Sequence, residues 1–349
     1  MDQLYDPEAL RAFARSVLAR VGTPDEPAAA VAAGLVEADL YGHVTHGLAL
    51  LADYVAALED GTMAKDGRPE VVADAGAAAT WDARRLPGVW TTMLAVDDAV
   101  ARAAKFGLGA VTIRRSHHIA CLAAFLEAPA RAGHLVLVFS SDPSTAHVAP
   151  YGGLEPLVTP DPVAAGIPAD PDPIVIDVSM SITTAGMAGR LRATGGRFPG
   201  KWLMDADGTL TDDPWAVKNG GTILPIGGLD HGHKGFGLAL LVEALTQGLP
   251  GHGRADGESG WGAGVLVLAF APSRFAGAEA FLRQTTWLAE AARRNRPRDP
   301  ETPVRLPGQL AFARKRAAER DGVPLAPVIT RALADLGARH GVVLPAPRS

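Results

Sequence analysis

Apolar side chains recur at helical spacing at both ends of the chain and gather into short continuous runs between them. Leu10, Phe13, Val17, Leu18 and Val21 share one face of a helix that Asp6 can cap and Pro7 can start. Thr23-Pro24 repeats that start signal, and Val31, Leu35 and Val36 extend the stripe. A third helix carries Leu51, Tyr54, Val55 and Leu58 and stops at Gly61. The middle of the chain changes period. It predicts a helix near 90–104, a strand at 108–113, a helix over 119–132 and a strand at 135–139, with further strands at 174–177 and 265–271. Residues 235–249 read as a helix buried on most of its faces, and helices return at 277–294, 309–320 and 328–340. Pro and Gly crowd residues 143–173 and 195–232, which predicts long ordered loops there. Strands alternating with helices place the fold in the α/β class, as a layered domain.

Length adds a division. The 349 residues suit one large or two interlocked domains. The expected parts are a helical one from 1–75 with 300–349, and an α/β one from 76–299. The net charge is −5 with no basic face, which argues against nucleic acid as a partner. Cys121 is the single cysteine, so an internal disulfide and a multi-thiolate zinc site are both excluded. The first residues show no signal-peptide pattern, and no apolar stretch reaches membrane-spanning length without a charge or a Gly/Pro interruption. The expectation is a cytoplasmic protein.

Four short segments carry candidate chemistry. Thr45-His46-Gly47 lies at the break between two helices, where a histidine can face a cleft and move protons, or simply bond a nearby carbonyl. Ser116-His117-His118 follows a strand, at the kind of turn where α/β proteins place ligands; no third ligand stands at metal spacing, so no metal is expected. Asp177, Ser179, Met180 and Ser181 end another strand, and such acids and hydroxyls can hold ribose and phosphate, or make a plain turn. His233-Lys234-Gly235-Phe236-Gly237 opens an apolar helix and suits an anion. Neither a Walker A loop nor a Gly-x-Gly-x-x-Gly fingerprint between strand and helix is present, so an ordinary Rossmann domain is not supported.

Taken together these segments resemble the type 2 malate/lactate dehydrogenases, a family that also holds ureidoglycolate and sulfolactate dehydrogenases, piperideine-carboxylate reductase and 2,3-diketogulonate reductase. The resemblance runs from Leu10 to about Leu333. The family's Ser-His-Gly matches Thr45-His46-Gly47, and its strand-ending acid and serines match Asp177-Val178-Ser179-Met180-Ser181. Its Lys-Gly-x-Gly matches Lys234-Gly235-Phe236-Gly237, and its late Leu-Pro-Gly matches Leu306-Pro307-Gly308-Gln309. Ser179-Met180-Ser181 followed by Gly186-Met187 looks most like the diketogulonate reductase branch.

The resemblance implies a non-Rossmann fold that binds NAD or NADP, a homodimer and a small-molecule substrate. It implies that His46 donates a proton as hydride reaches a 2-oxo acid, a related ketone or a cyclic imine, with His118 lining the site. Ser141 with Asp142, the stretch Ser179–Ala185 including Thr183, His233-Lys234 and Pro307-Gly308-Gln309 would hold the cofactor. Thr45, Leu50 and Asp161 occupy positions implied to face substrate. Two of these depart from the family: Leu50 stands where an arginine forks onto the substrate carboxylate, and Thr159-Pro160-Asp161-Pro162 replaces Gly-Thr-Asn-Pro. The competing reading is a cofactor-binding protein of this fold with lost or altered dehydrogenase activity.

Overall fold

The computed structural model describes residues 2–348. A short strand β1 (Gln3–Tyr5) precedes helices α1 (Pro7–Arg20), α2 (Asp25–Tyr41) and α3 (Leu51–Asp60). The signals at Asp6, Gly42 and Gly61 act as expected, whereas α2 starts at Asp25 with Pro24 at its N-cap position and no side-chain cap from Thr23. The Asp6 carboxylate accepts the Ala9 N–H at 2.9 Å, and Gly42 and Gly61 end α2 and α3 in the left-handed conformation at φ 83° and 81°.

Then come β2 (Glu70–Asp74), β3 (Ala78–Asp82), α4 (Gly88–Phe106), β4 (Leu108–Ser116), α5 (Glu127–Arg131) and β5 (Leu135–Ser141). The chain continues through β6 (Val163–Ile167), β7 (Ile174–Val178) and α6 (Ala185–Thr194). A small sheet of β8 (Leu203–Met204), β9 (Leu210–Thr211) and β10 (Thr222–Ile223) follows, and then α7 (Gly228–Glu243) and β11 (Ala263–Phe270). The chain closes with α8 (Ala278–Arg293), α9 (Gln309–Asp321), β12 (Val323–Leu325) and α10 (Pro327–His340).

The main sheet has the order β2-β3-β4-β11-β5-β6-β7, with β3 and β4 parallel and every other pair antiparallel. Because β2 pairs into this sheet, the α/β part starts inside the expected helical stretch 1–75. One core runs across both parts: Leu10, Val17 and Leu35 from the helices belong to the same buried cluster as Val111, Val138 and Val267 from the sheet, and Leu333 from α10. A second cluster, including Phe139, Met180, Ala239, Val242 and Leu266, packs α7 against the other face.

The structure differs from the sequence expectations at several places, among them residues 195–232, where the small sheet β8–β10 stands in the expected loop. No continuous helix spans 119–132: Ala120 sits at φ 57°, and only a single 3-10 turn at Leu122–Phe125 and the short α5 form. The expected long loop over 143–173 contains β6, whose Gly166 lets the strand pass close under Leu126; a side chain there would strike the Leu126 carbonyl. The helix expected at 235–249 begins at Gly228, breaks at His231 (φ −131°) and widens into a π turn over Ala244–Gly248. Nor is it buried on most faces, since Leu238, Leu240 and Leu241 are each about half exposed.

Candidate active site

Register brings the chemistry to one edge of the sheet. Ala263 at the start of β11 pairs with Ser116 at the end of β4, and Gly264 pairs with Ser141 at the end of β5. Val163 at the start of β6 pairs with Val178 at the end of β7. The loops leaving this edge enclose a cleft of about 910 Å³ whose lining includes His46, His118, Ser141, Asp177, Ser181 and Trp261.

The His46 loop is held by what lies beneath it. Asp39, in the last turn of α2, accepts the Leu48 N–H at 2.8 Å. A side chain at residue 47 would run into the Asp39 carboxylate, so glycine is required there by space. Burial raises the Asp39 carboxyl to about 7, and the Leu48 N–H opposes that rise. The Nδ1 of His46 lies 2.9 Å from Thr45 Oγ1, which leaves Nε2 for the cleft. A hydroxyl can give or take that hydrogen bond, so the pairing serves both neutral tautomers. Desolvation, with a lesser contribution from His43, lowers His46 to about 4.

His118 is delivered by β4. Asp82, buried beside the strand end, pairs with Arg114 at 3.0 Å and Arg115 at 2.6 Å. Gly88, at the start of α4, permits the following turn, because a side chain there would strike the carbonyl oxygens of His117 and His118. Tyr54 Oη meets His118 Nδ1 at 2.9 Å, and Trp261 stacks on the ring with centroids 4.4 Å apart. The rings of His46 and His118 are 5.9 Å apart at 28°. Burial first, then the neighbouring histidines, holds His118 well below its ordinary range.

Across the cleft, Ser179, Ser181, Thr183, Thr184, Ala185 and Gly186 form a hydroxyl-rich approach to the N-terminus of α6. The Thr184 hydroxyl accepts the Met187 N–H at 3.2 Å. A side chain at Gly186 would meet nothing closer than 3.9 Å, so the backbone is open on that side. Such a helix start favours phosphate, and the cleft is large enough for a nicotinamide nucleotide: the residues present fit that group.

The remaining expected site residues are distributed unevenly. Thr45, Leu50 and Asp142 line the cleft. Ser141 does too, with its hydroxyl fixed 2.6 Å from Thr246 Oγ1 and accepting Gln247 Nε2 at 2.9 Å. Asp177, expected at a ribose, lines the cleft as well; its Oδ2 accepts the Ala123 N–H at 2.9 Å and lies 3.7 Å from Cys121 Sγ. Met180 points into the second core and does not line the cleft. Asp161, expected to face substrate, is not among the residues that line the cleft, although Thr159, Pro160 and Pro162 are. It is fully buried behind the lining, at φ 46°, and accepts the Thr159 hydroxyl at 2.6 Å. Burial, and then the nearby Glu243, push the Asp161 carboxyl above the usual carboxylate range.

His233 and Lys234 are exposed on the first turn after the break in α7, outside the lining of the cleft. Pro307, Gly308 and Gln309 also lie outside it. Gly308 lets the turn pack on Val175, and Gln309 Oε1 accepts the Leu306 N–H at 3.2 Å.

Four contributors are not assigned to the site by the sequence: His43, Tyr54, Cys121 and Trp261. His43 shares the His46 loop and could have been grouped with it. Trp261, a lone aromatic in a glycine-rich run, carries no local signal.

The chain matches the family model described as malate/L-lactate dehydrogenase over residues 5–334. It is 32% identical to a (2R)-3-sulfolactate dehydrogenase (NADP(+)) of Chromohalobacter salexigens, across 90% of this chain and 93% of that enzyme. It is 29% identical to a Delta(1)-pyrroline-2-carboxylate/Delta(1)-piperideine-2-carboxylate reductase of Pseudomonas putida, across 90% of this chain and 91% of that one. In fold it resembles the crystal structure of malate dehydrogenase from Entamoeba histolytica, with a TM-score of 0.93 over 99% of this chain and 100% of that one at 21% identity. With nearly its whole length matched in sequence and in fold, the chain belongs to the malate/L-lactate dehydrogenase family.

Proposed function

We propose that this NAD(P)-dependent oxidoreductase acts on a carbonyl or imine, or on the corresponding alcohol or amine, with His46 as its acid/base. The observation that carries this reading is the pairing of His46 Nδ1 with Thr45 Oγ1 inside a cleft that also takes in the N-terminus of α6. A bound nicotinamide supplies or accepts the hydride. His46 Nε2 gives its proton to the substrate oxygen or nitrogen in reduction and takes it back in oxidation. Thr45 keeps the ring oriented. His118, held neutral by burial and fixed by Tyr54, packs with Trp261 to form a dry wall beside it. The backbone and hydroxyls at Ser179–Gly186 hold the nucleotide phosphates. Lys234, exposed on α7 outside the lining of the cleft, is assigned to the pyrophosphate or ribose-phosphate of the nucleotide. Lys234→Ala is expected to weaken reduced-cofactor affinity by ~1–3 kcal/mol; an unchanged fluorescence titration removes it from the binding site.

Substrate choice turns on charge. Among the described residues no lysine or arginine lines the cleft, and Leu50 occupies the position where the family places a carboxylate-binding arginine. Malate and lactate should therefore be poor substrates beside a less charged ketone or a cyclic imine. Leu50→Arg is expected to raise kcat/KM for malate or lactate about tenfold or more, since a charge-assisted bond contributes ~1.5–3 kcal/mol. Efficient turnover of either acid by the unaltered protein contradicts this assignment.

The working unit we infer is a homodimer. Leu238, Leu240 and Leu241 on α7 and Trp287 and Leu288 on α8 are about half exposed or more, the kind of apolar surface a second copy would cover. Sedimentation at micromolar concentration should show a dimer; monomer alone refutes it.

A further inference from the structure

Below His46 the cleft floor carries a second cluster that the proton-transfer scheme leaves unused. His43, Cys121 and Asp177 each present one ligand atom, and the three atoms lie within 4.8 Å of one another. They arrive from separate elements: His43 from the loop after α2, Cys121 from the residue before the 3-10 turn at Leu122–Phe125, and Asp177 from β7. Two of them are firmly placed. Asp177 is tied to the Ala123 N–H at 2.9 Å, and Cys121 Sγ stands 3.7 Å from its Oδ2. His43 is half-buried on the loop that follows α2.

We propose that His43, Cys121 and Asp177 form a site for a zinc-class divalent cation on the floor of the cleft. One imidazole, one thiolate and one carboxylate are a donor set that suits zinc in tetrahedral coordination. Ligand bonds of ~2.0–2.3 Å place neighbouring donors ~3.3–3.8 Å apart, so the sulfur–oxygen edge already has the needed length and the histidine must close by roughly an ångström. As the metal–sulfur bond forms, the Cys121 thiol loses its proton to solvent. A dication with one thiolate, one carboxylate and a neutral imidazole has no net charge, which suits a partly buried pair of acids. The three protein ligands leave the fourth position open, and all three residues line the same cleft as His46. An ion held there occupies substrate space, so the site makes the enzyme inhibitable by zinc. This second half rests on the oxidoreductase reading; the binding itself does not.

Cobalt(II) titration of the purified protein separates the two. One equivalent per chain is expected to bind, with a thiolate-to-cobalt charge-transfer band in the near ultraviolet and displacement by zinc. Cys121→Ser should abolish the band, and both Cys121→Ser and His43→Gln should weaken binding at least tenfold. The serine variant is nearly isosteric, and His43 is on a half-buried loop, so circular dichroism should show both folded. Cobalt that binds without the sulfur band, or with unchanged affinity in both folded variants, overturns the site. Zinc should also inhibit turnover competitively with the carbonyl or alcohol substrate and not with the nucleotide. Sulfur-ligated cobalt without such inhibition overturns the inhibitory role and leaves the metal site standing.

Discussion

Replacing His46 by alanine is expected to slow turnover by ~10²–10⁴-fold, the usual loss when a positioned acid/base is removed. Reduced-cofactor affinity should stay within about twofold, because the residues offered to the phosphates lie on the α6 side of the cleft. The ratio of the two effects carries the meaning. A merely structural His46 would take both down together, since its loop packs over Asp39 and the end of α2. His118→Ala is the comparison. Its Nδ1 is already engaged by Tyr54, so its removal should disturb the Trp261 wall and raise KM more than it lowers kcat. If His118→Ala loses turnover with binding intact while His46→Ala does not, the acid/base assignment passes to the other ring.

The two directions of the reaction should respond oppositely to pH. His46 is lowered to about 4 in the free enzyme, first by desolvation and then by His43, so above that value it is neutral. Oxidation needs the neutral imidazole as base, and its kcat/KM should climb as pH rises through about 4 and then level off. Reduction needs the protonated ring, so each pH unit above about 4 should cost kcat/KM a factor of ~10. Near neutrality the site is therefore poised for alcohol or amine oxidation, unless the arriving substrate is itself a cation that brings the proton, as a protonated imine does. A reductive kcat/KM for a neutral ketone that holds level from weakly acidic to neutral pH would contradict His46 as the donor in the free enzyme.

Local rules carried much of this architecture in the sequence. Asp6 before Pro7, glycines 42 and 61, and the apolar runs that became β4, β5, β7 and β11 each act within a few residues. The failures were set by tertiary contact. The helical pattern at 119–132 gives way because the Ala123 N–H is claimed by Asp177, more than fifty residues away in the chain. The strand Val163–Ile167 was hidden by a glycine whose purpose is close approach to Leu126. The apolar period of α7 gave the helix and misjudged its surroundings, because periodicity does not distinguish a face covered by the same chain from one left open.

The site divided in the same way. Thr45, His46, Leu50, His118, Ser141, Asp177, Ser179, Ser181 and Thr183 meet at the cleft. Met180 and Asp161 turn inward, and Lys234 and Gln309 stay outside it. Motif spacing orders residues along the chain, whereas strand alternation and loop packing decide which way each one faces. Cys121 was informative only for what a single thiol excludes, until Asp177 and His43 were seen beside it.

The strand order beneath the cleft has a kinetic consequence. The central strand β11 enters late in the chain yet separates β4 from β5, so each of them, paired early with β3 or β6, lacks its second partner until most of the polypeptide is present. Pairings of such long sequence separation form slowly, because loop closure is unfavourable before the contacts reward it. His118, Ser141 and Trp261 therefore acquire their mutual positions only once β11 joins β4 to β5. Nucleotide recognition then becomes a report on global folding: a ligand bound only by the finished cleft, at a hundred times its Kd, adds ~2.7 kcal/mol to the free energy of global unfolding.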